Sequence, residues 1–245
     1  MKKIAAFFIL YLLTLSLSHA DTLPLRVAIS DFTPPFVMHA TKKEYFGFDI
    51  ALAEYICKML ERQCVYIPMN FDALIPAIEE NKADIAISAI TINLEQSKIV
   101  RFSIPYMISQ VEYVVTRENT TLNPAHLDNT TIGIMQGTIF GREINSMAFT
   151  NTRIIEYKRF EDILSALKDK IIDAALLRAP SAHYWKNISS GKLQTIGSPF
   201  SVGYGLGIIA NIENKHLIDQ INLAILHYQN SSEFKKNYTI YLEGF

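Results

Sequence analysis

Residues 133–138, Gly-Ile-Met-Gln-Gly-Thr, form a segment whose pattern could bind an anion. The apolar residues predict a strand, the second glycine predicts a turn, and Thr138 marks the start of a helix. The first turn of a helix has unpaired N–H groups and a partial positive charge, which attract carboxylates and phosphates. The same pattern also fits a Thr138 that only caps the helix. Both interpretations are open on the sequence alone.

Sequence motifs typical of enzymes and metal sites do not occur in the chain. It contains no Walker A loop, GxGxxG, GxSxG or HExxH pattern, and its six histidines are scattered without the spacing of zinc ligands. Acidic pairs, such as Glu161 and Asp162, lie on predicted polar helix faces, where solvated side chains are the usual finding. We therefore predict no metal, no cofactor and no enzymatic activity.

Cys57 and Cys64 are the two cysteines of the chain. On one continuous helix their Cα atoms would be about 10.5 Å apart, whereas a disulfide requires less than about 7 Å. A bridge therefore requires the helix to end between them, and the polar residues 61–63 suit such a turn. The alternative is a pair of buried free thiols. An oxidising compartment outside the cytoplasm would favour the bridge, and either state is structural.

The first twenty residues are predicted to be a signal peptide rather than part of the fold. Lys2 and Lys3 precede an apolar run of about fourteen residues, and Ser18 and Ala20 place small residues at the −3 and −1 positions of a cleavage site. The run is short for a membrane span. We expect cleavage after Ala20 and a periplasmic location.

Composition limits the remaining function classes. Hydrophobic residues make up 49% of the 245 residues, which is enough for a folded core and excludes intrinsic disorder. The formal net charge of −1 provides no basic surface for nucleic acid. The length allows one large domain or two small ones, at roughly 100–200 residues per domain.

Strand and helix patterns alternate along the chain, which predicts βαβ units with a mostly parallel sheet. Residues 25–29 read as a strand, Pro34 and Pro35 stiffen the following loop, and a helix opens near Gly47 with Asp49 as its N-cap. These elements must position any residue that binds a ligand.

An internal repeat predicts two lobes of similar construction. Eight positions between Phe71 and Ile87 recur without a gap between Phe160 and Leu176. Each copy predicts an amphipathic helix, a polar turn that ends in aspartate, and an apolar strand. Two such lobes imply a cleft between them, and ligands of open α/β sheets bind at the carboxyl ends of the strands.

Three segments, residues 47–53, 68–77 and 82–92, resemble in this order the polar amino-acid-binding proteins of bacterial ABC importers, in particular their arginine-, histidine- and glutamine-binding branch. Residues 102–106 and 133–138 fit the same family, and the resemblance extends from Leu25 to the C-terminus. The spacing of the two cysteines also resembles the disulfide of the basic-amino-acid branch.

The resemblance implies an α/β fold, the two-lobed periplasmic-binding-protein clamp of type II, in which each lobe is a mostly parallel sheet flanked by helices. Lobe 1 would comprise residues 21–111 plus 204–245, and lobe 2 residues 112–203. The chain would cross between the lobes near residues 110–113 and 198–204.

The function implied by the resemblance is to capture an amino acid or a related small carboxylate between the lobes and to deliver it to the membrane permease of an ABC importer. We expect a monomer with no nucleic-acid partner. Two alternatives share the fold: an exported enzyme similar to cyclohexadienyl dehydratase, and a ligand-sensing module. The arginine at position 178 argues against the enzyme, which uses a carboxylate in the cleft.

The family's ligand-binding positions correspond to eight residues here. Thr33 stands in place of an aromatic residue, with Phe32 beside it, and Phe71 matches a second aromatic. Two strand-end residues match the groups that bind the ligand's carboxylate and ammonium, and a threonine matches the turn of lobe 2. The full set is Phe32, Thr33, Phe71, Ser88, Thr91, Gln96, Thr138 and Arg178.

Two of these positions depart from the family. Gln96 replaces an arginine that binds the α-carboxylate, and glutamine keeps hydrogen-bond donors but has no charge. Arg178 replaces an aspartate that binds the α-ammonium, so attraction becomes repulsion. Three interpretations are open: Arg178 binds the carboxylate from lobe 2, the ligand is an anion without an ammonium group, or Arg178 points outward. We predict that Arg178 supplies the charge that Gln96 lacks.

Overall fold

The structure is a computed structural model that describes residues 23–41, 44–119 and 121–243. The predicted signal peptide and its cleavage site lie outside these residues. Within the described ranges, no helix has both the length and the apolar character needed to cross a membrane.

The first lobe is built on a five-stranded sheet with flanking helices. Its strand order is β4-β1-β5-β12-β6, and β1 and β5 are buried, as expected for apolar strands covered on both faces. A small hairpin of β2 and β3 follows β1. The elements are β1 (Leu25–Ser30), β2 (Met38–Thr41), β3 (Glu44–Phe46), α1 (Phe48–Met59), β4 (Cys64–Met69), α2 (Leu74–Glu79), β5 (Ile85–Thr91), β6 (Val100–Phe102), β12 (Leu206–Asn211), α6 (Lys215–Gln229) and α7 (Ser232–Tyr238).

The second lobe is a similar sheet of order β11-β7-β10-β8-β9. Its apolar residues form two cores, one on each face of the sheet. The elements are β7 (Gln110–Thr116), β8 (Thr131–Met135), α3 (Phe140–Ser146), β9 (Arg153–Tyr157), α4 (Phe160–Lys168), β10 (Ala174–Arg178), α5 (Ala179–Ile188) and β11 (Leu193–Ser201).

Both sheets are mixed rather than mostly parallel. In each, two neighbouring strand pairs are parallel and two are antiparallel. The antiparallel pairs arise where the chain changes lobes: β12 starts opposite the end of β5, with Leu206 paired to Thr91, and β7 starts opposite the end of β10, with Val111 paired to Arg178. A strand that follows a crossing begins at the cleft and runs away from it. Its neighbour, β5 or β10, runs toward the cleft and ends there, so the two strands are antiparallel.

The chain passes from the first sheet to the second between Phe102 and Gln110, and returns between Ser201 and Leu206. The sequence places the first passage at residues 110–113, and these residues already belong to β7 of the second sheet. We therefore place the first passage before Gln110 and propose the other predicted lobe boundaries unchanged.

The internal repeat is a repeated structural unit. Asp84 and Asp173 occupy the same place in the two copies, just before β5 and β10. Each carboxylate accepts the backbone N–H of the neighbouring strand at 2.8 Å, from Arg26 and Thr131 respectively. Each aspartate N–H donates to the carbonyl of that same neighbour, at 2.9 and 2.8 Å. In both lobes, the aspartate therefore holds the start of its strand against the neighbouring strand by hydrogen bonds: β5 against β1 in lobe 1, and β10 against β8 in lobe 2.

The disulfide between Cys57 and Cys64 is present, with the Cα atoms 5.8 Å apart. Helix α1 ends at Met59 and β4 begins at Cys64, so the chain reverses between the cysteines as the bridge requires. The expectation that the helix must stop between them is confirmed.

The predicted N-cap of α1 is wrong. The helix begins at Phe48 with Gly47 as its N-cap, and Asp49 lies inside the first turn. Its side chain is fully buried and accepts the backbone N–H of Ala89 at 2.5 Å instead. Asp49 thus joins α1 to β5, a contact between residues that are distant in sequence.

Candidate functional site

Two cavities lie between the lobes. The first is lined by the carboxyl ends of β5 (Thr91) and β10 (Arg178), and the second by those of β1 (Ser30), β4 (Met69) and β8 (Met135). The first encloses about 140 Å³ and the second about 220 Å³. Both are lined by residues of both lobes, and Phe71 borders both. Phe71 packs against apolar clusters of each lobe, so it forms a wall between the cavities.

The first cavity, here called the Arg178 cavity, brings together five of the eight predicted binding residues. They are Phe71, Thr91, Gln96, Thr138 and Arg178. The first three belong to lobe 1 and the last two to lobe 2, so the site is assembled only when the lobes meet.

Arg178 ends β10 and points inward, with 5% of its surface exposed. This rules out the interpretation in which it faces outward. Its Nη1 donates to Thr91 Oγ1 at 2.8 Å and to Ser109 Oγ at 3.3 Å, and its guanidinium lies over the ring of Phe140, 5.2 Å from the centroid. Burial lowers its pKa to about 10, although nearby Asp49 and Tyr106 oppose the shift. The group remains a cation at neutral pH.

Gln96 and Thr138 border the cavity from opposite lobes, and each is held by its own segment. Gln96 Oε1 accepts from Asn93 Nδ2 at 2.6 Å, and the Gln96 N–H donates to Asn93 Oδ1 at 3.0 Å. The Thr138 hydroxyl donates to the carbonyl of Met135 at 2.7 Å. Helix α3 starts two residues later, with Ile139 as its N-cap, so Thr138 does not cap it.

The other three predicted residues lie elsewhere. Phe32 and Thr33 border the second cavity, next to Asp31 and opposite Lys158 and Glu161 of lobe 2. Ser88 is fully buried and borders neither cavity. Its hydroxyl donates to Ser30 Oγ at 2.5 Å, and Ser30 in turn bonds to Thr33. Ser88 thus supports the loop that carries Thr33.

Sequence reasoning missed a buried polar group behind Arg178, formed by Asp49, Tyr106 and Ser109. Burial raises the Asp49 pKa to about 7, while the Ala89 N–H, the Tyr106 hydroxyl and the Arg178 charge act in the opposite direction. Burial and the Asp49 charge raise the Tyr106 pKa well above its usual value. Asp49 and Tyr106 lie in the segments that carry the family resemblance, residues 47–53 and 102–106, whereas no sequence signal pointed to Ser109.

Contacts between the lobes surround the two cavities. Ser181 Oγ of α5 donates to the carbonyl of Pro34 at 2.6 Å. Arg142 of α3 pairs with Glu95 at the exposed edge. Gly137, with φ of +83°, approaches so closely that a Cβ there would lie 2.8 Å from the Asp72 Cα. The lobes are therefore in direct contact around the site.

A model of the bacterial extracellular solute-binding proteins, family 3, matches residues 25–244. The ABC transporter arginine-binding protein 1 of Escherichia coli K12 is 28% identical over 239 residues, covering 96% of this chain and 97% of that protein. The histidine-binding periplasmic protein of Salmonella typhimurium is 29% identical over 226 residues, which cover 86% of this chain and 85% of that protein.

Among solved structures, an arginine third transport system periplasmic binding protein from Legionella pneumophila superposes with a TM-score of 0.84 and 30% identity. The match covers 90% of this chain and all of that one. The two-lobed architecture described above is therefore shared with a protein of closely similar size.

Proposed function

This chain belongs to family 3 of the bacterial extracellular solute-binding proteins, and on that premise we propose that it captures an amino acid or a related small carboxylate between its lobes and delivers it to the permease of an ABC importer. Relatives named for binding arginine and histidine support the ligand class. The name of the histidine-binding periplasmic relative supports export, with cleavage after Ala20 as the proposed processing step.

The observation that carries the proposal is the Arg178 cavity. Binding proteins of this kind must hold a small ligand by groups from both lobes, and here Thr91 and Gln96 of lobe 1 face Thr138 and Arg178 of lobe 2. A buried guanidinium beside hydroxyl groups is suited to a carboxylate, because it offers charge and several donors together.

We assign ligand contacts to Phe71, Thr91, Gln96, Thr138 and Arg178, and we assign Phe32 and Thr33 to the part of the ligand that extends toward the second cavity. Ser88 acts through Ser30 and Thr33. The predicted lobe boundaries are proposed with one change: Gln110 and Val111 belong to lobe 2, because they are part of β7. The protein is proposed to act as a monomer.

We propose a binding protein rather than an enzyme. The carboxylates that border the two cavities are Asp31, Asp72 and Glu161. Asp72 and Glu161 lie near cations, at 4.0 Å from Lys158 Nζ and 3.4 Å from Arg159 Nε, and Asp31 is exposed. A general acid or base held dry beside Arg178 is not found among these lining residues. Turnover of prephenate or arogenate by the purified protein would contradict this assignment.

A thermal-shift screen of amino acids and small carboxylates tests the function, since a ligand that binds only the folded state raises the melting temperature. For a ligand found in this way, Arg178→Ala is expected to lose about 2–4 kcal/mol of binding, the cost of removing one partner of a desolvated charged pair. Gln96→Ala is expected to lose about 0.5–1.5 kcal/mol, as for a neutral hydrogen bond. A screen without any stabilising compound, or losses in the reverse order, would contradict the proposal.

A further inference from the structure

We propose that the ligand of the Arg178 cavity is a carboxylate without an ammonium group on the adjacent carbon, such as a 2-hydroxy, 2-oxo or unsubstituted carboxylate, rather than an α-amino acid. The inference rests on the proposed function, because it names the ligand class of the same cleft. It depends on the charge balance and hydrogen bonds around Arg178.

Arg178 is a buried cation without an anionic partner in ion-pair contact among the described residues. The salt bridges among the described residues involve other arginines, lysines and His183. The hydrogen bonds of Arg178 go to the hydroxyls of Thr91 and Ser109. Burying a charge without a counter-charge is costly. An anion that enters the cavity offsets this cost, so the site favours negatively charged ligands.

Asp49 does not supply the missing charge. It does not border the cavity, and its Oδ2 already accepts the Ala89 N–H at 2.5 Å. With a pKa of about 7, its carboxyl is only partly ionised at neutral pH. The Tyr106 hydroxyl beside it stays neutral, because its pKa is raised well above the usual value.

The hydrogen bonds of Arg178 leave donors available for a carboxylate. Among the described residues, its bonds to protein run from Nη1, while Nε and Nη2 have no such partner. A guanidinium binds a carboxylate through two parallel N–H groups. The Thr91 oxygen accepts from Arg178 and lies 3.1 Å from Ser109 Oγ. Since Thr91 lines the cavity and Ser109 does not, the Ser109 hydroxyl can donate to Thr91 while the Thr91 hydroxyl donates to a ligand.

An ammonium group next to that carboxylate would be repelled by Arg178 and would find no unpaired carboxylate among the described residues that line the cavity. Within the Arg178 cavity, the one acidic residue in the lining is Asp72, whose carboxylate faces Lys158 of lobe 2 at 4.0 Å. The other lining groups are apolar side chains, hydroxyls, the Gln96 amide and Gly137. In about 140 Å³, an ammonium on the α-carbon cannot be far from the guanidinium. Like charges at such distances disfavour binding strongly.

Calorimetric titration with matched ligand pairs tests the inference. Each amino acid is compared with its counterpart that lacks the α-ammonium, for example arginine with 5-guanidinopentanoate and histidine with 3-(imidazol-4-yl)propanoate, and the set extends over the common amino acids. For the best-bound pair, we expect the ligand without the ammonium group to bind at least about tenfold more tightly than the amino acid, because like charges repel. Tighter binding of the amino acid would overturn the inference and leave the proposed function intact, whereas binding of no member would overturn both.

Two variants show whether Arg178 causes the preference. Arg178→Gln keeps a donor for Thr91 without the charge, and it should weaken the carboxylate and bring the affinity ratio of the pair close to one. Arg178→Asp should invert the ratio in favour of the amino acid. Arg142→Gln is the matched control, because Arg142 is an exposed lobe 2 arginine paired with Glu95 and borders neither cavity.

The expected control result is an unchanged ratio in Arg142→Gln. Melting temperatures and the fluorescence of the single tryptophan verify that each variant is folded. If Arg178→Asp does not fold, Arg178→Gln is the deciding variant. If its affinity ratio for the ligand pair equals that of the natural protein, the guanidinium does not cause the preference.

Discussion

Asp49 illustrates how one residue couples the site to the stability of the fold. Its carboxyl is fully buried in the first turn of α1, where it receives the Ala89 N–H and faces Tyr106 and Arg178. Its Oδ1 atom has no hydrogen-bond partner of good geometry among the described residues. The cost of ionising the carboxyl there makes the protonated form unusually favourable in the folded state.

The stability of the protein should therefore depend on pH through Asp49. The folded-state pKa is about 7 against 3.8 for the ordinary group, so the folded protein holds a proton that the unfolded chain releases. The stabilisation from protonating Asp49 in the folded state is fully present below pH 4 and is lost as pH rises toward and through 7. The free energy of unfolding should fall by on the order of 4 kcal/mol at most over that range. Asp49→Asn should remove that loss, as measured by urea denaturation of both proteins between pH 4 and 8.

Asp84→Asn provides a control of opposite sign. Burial of Asp84 raises its pKa, but hydrogen bonds and charge from Arg26 outweigh it and lower the pKa overall. Its contribution to stability is therefore lost only as pH falls below about 4, and the difference between the natural protein and Asp84→Asn should stay constant between pH 4 and 8. A stability difference between the natural protein and Asp49→Asn that stays constant from pH 4 to 7 would refute the assignment of the raised pKa to Asp49.

At the scale of elements, the disulfide closes the reversal between α1 and β4. Helix α1 packs on the first sheet through buried residues that include Cys57, and β4 is the edge strand paired with β1. The bridge thus ties a helix end to the start of an edge strand, at a place where the chain otherwise depends on a short polar turn.

Removing the bridge should cost about 2–3 kcal/mol, because a cross-link over a short loop restricts the unfolded chain modestly. The comparison is between the natural protein and a Cys57→Ser, Cys64→Ser double variant in urea denaturation, with the fully reduced natural protein as control. Mass spectrometry of protein from the export compartment should show the two cysteines linked. Equal stability of the oxidised and reduced forms would speak against a structural role.

At the scale of the whole molecule, contact between the lobes depends on small residues at the cleft. The Gly137 turn of lobe 2 lies against the backbone of Asp72 in lobe 1. The single tryptophan, Trp185 on α5, lies 6.2 Å from the Phe32 ring of lobe 1, measured between ring centroids. Its fluorescence can therefore report whether the lobes meet.

Gly137→Ala should hinder closure, because a Cβ would lie 2.8 Å from the Asp72 Cα. We expect a larger radius of gyration in small-angle scattering with saturating ligand, together with altered Trp185 fluorescence. Gly191→Ala is a matched control: its φ of +79° imposes similar backbone strain, but its nearest neighbour is the flexible end of Arg117 in the same lobe. Identical compaction in both variants would show that the Gly137 contact does not limit closure.

Local patterns in the sequence determined the elements and much of the site. The apolar periodicity predicted the repeated helix, turn and strand, and the two aspartates that end the turns have matching hydrogen bonds in the structure. The end of α1 before Cys64 also followed from local geometry. Family resemblance placed Thr91, Gln96 and Arg178 at strand ends and turns, and these positions are set by residues close in sequence.

Only the tertiary structure decided how these residues face one another. Arg178 lies against Thr91 and Ser109, Ser88 lies behind Ser30, and Asp49 reaches Ala89. Each contact joins segments far apart in the chain. The distance between the two atoms in each contact depends on how the chain arranges its sheets and connecting segments in space. Sequence spacing carries no information on that separation, so the direction and charge environment of Arg178 became visible only when the lobes were assembled.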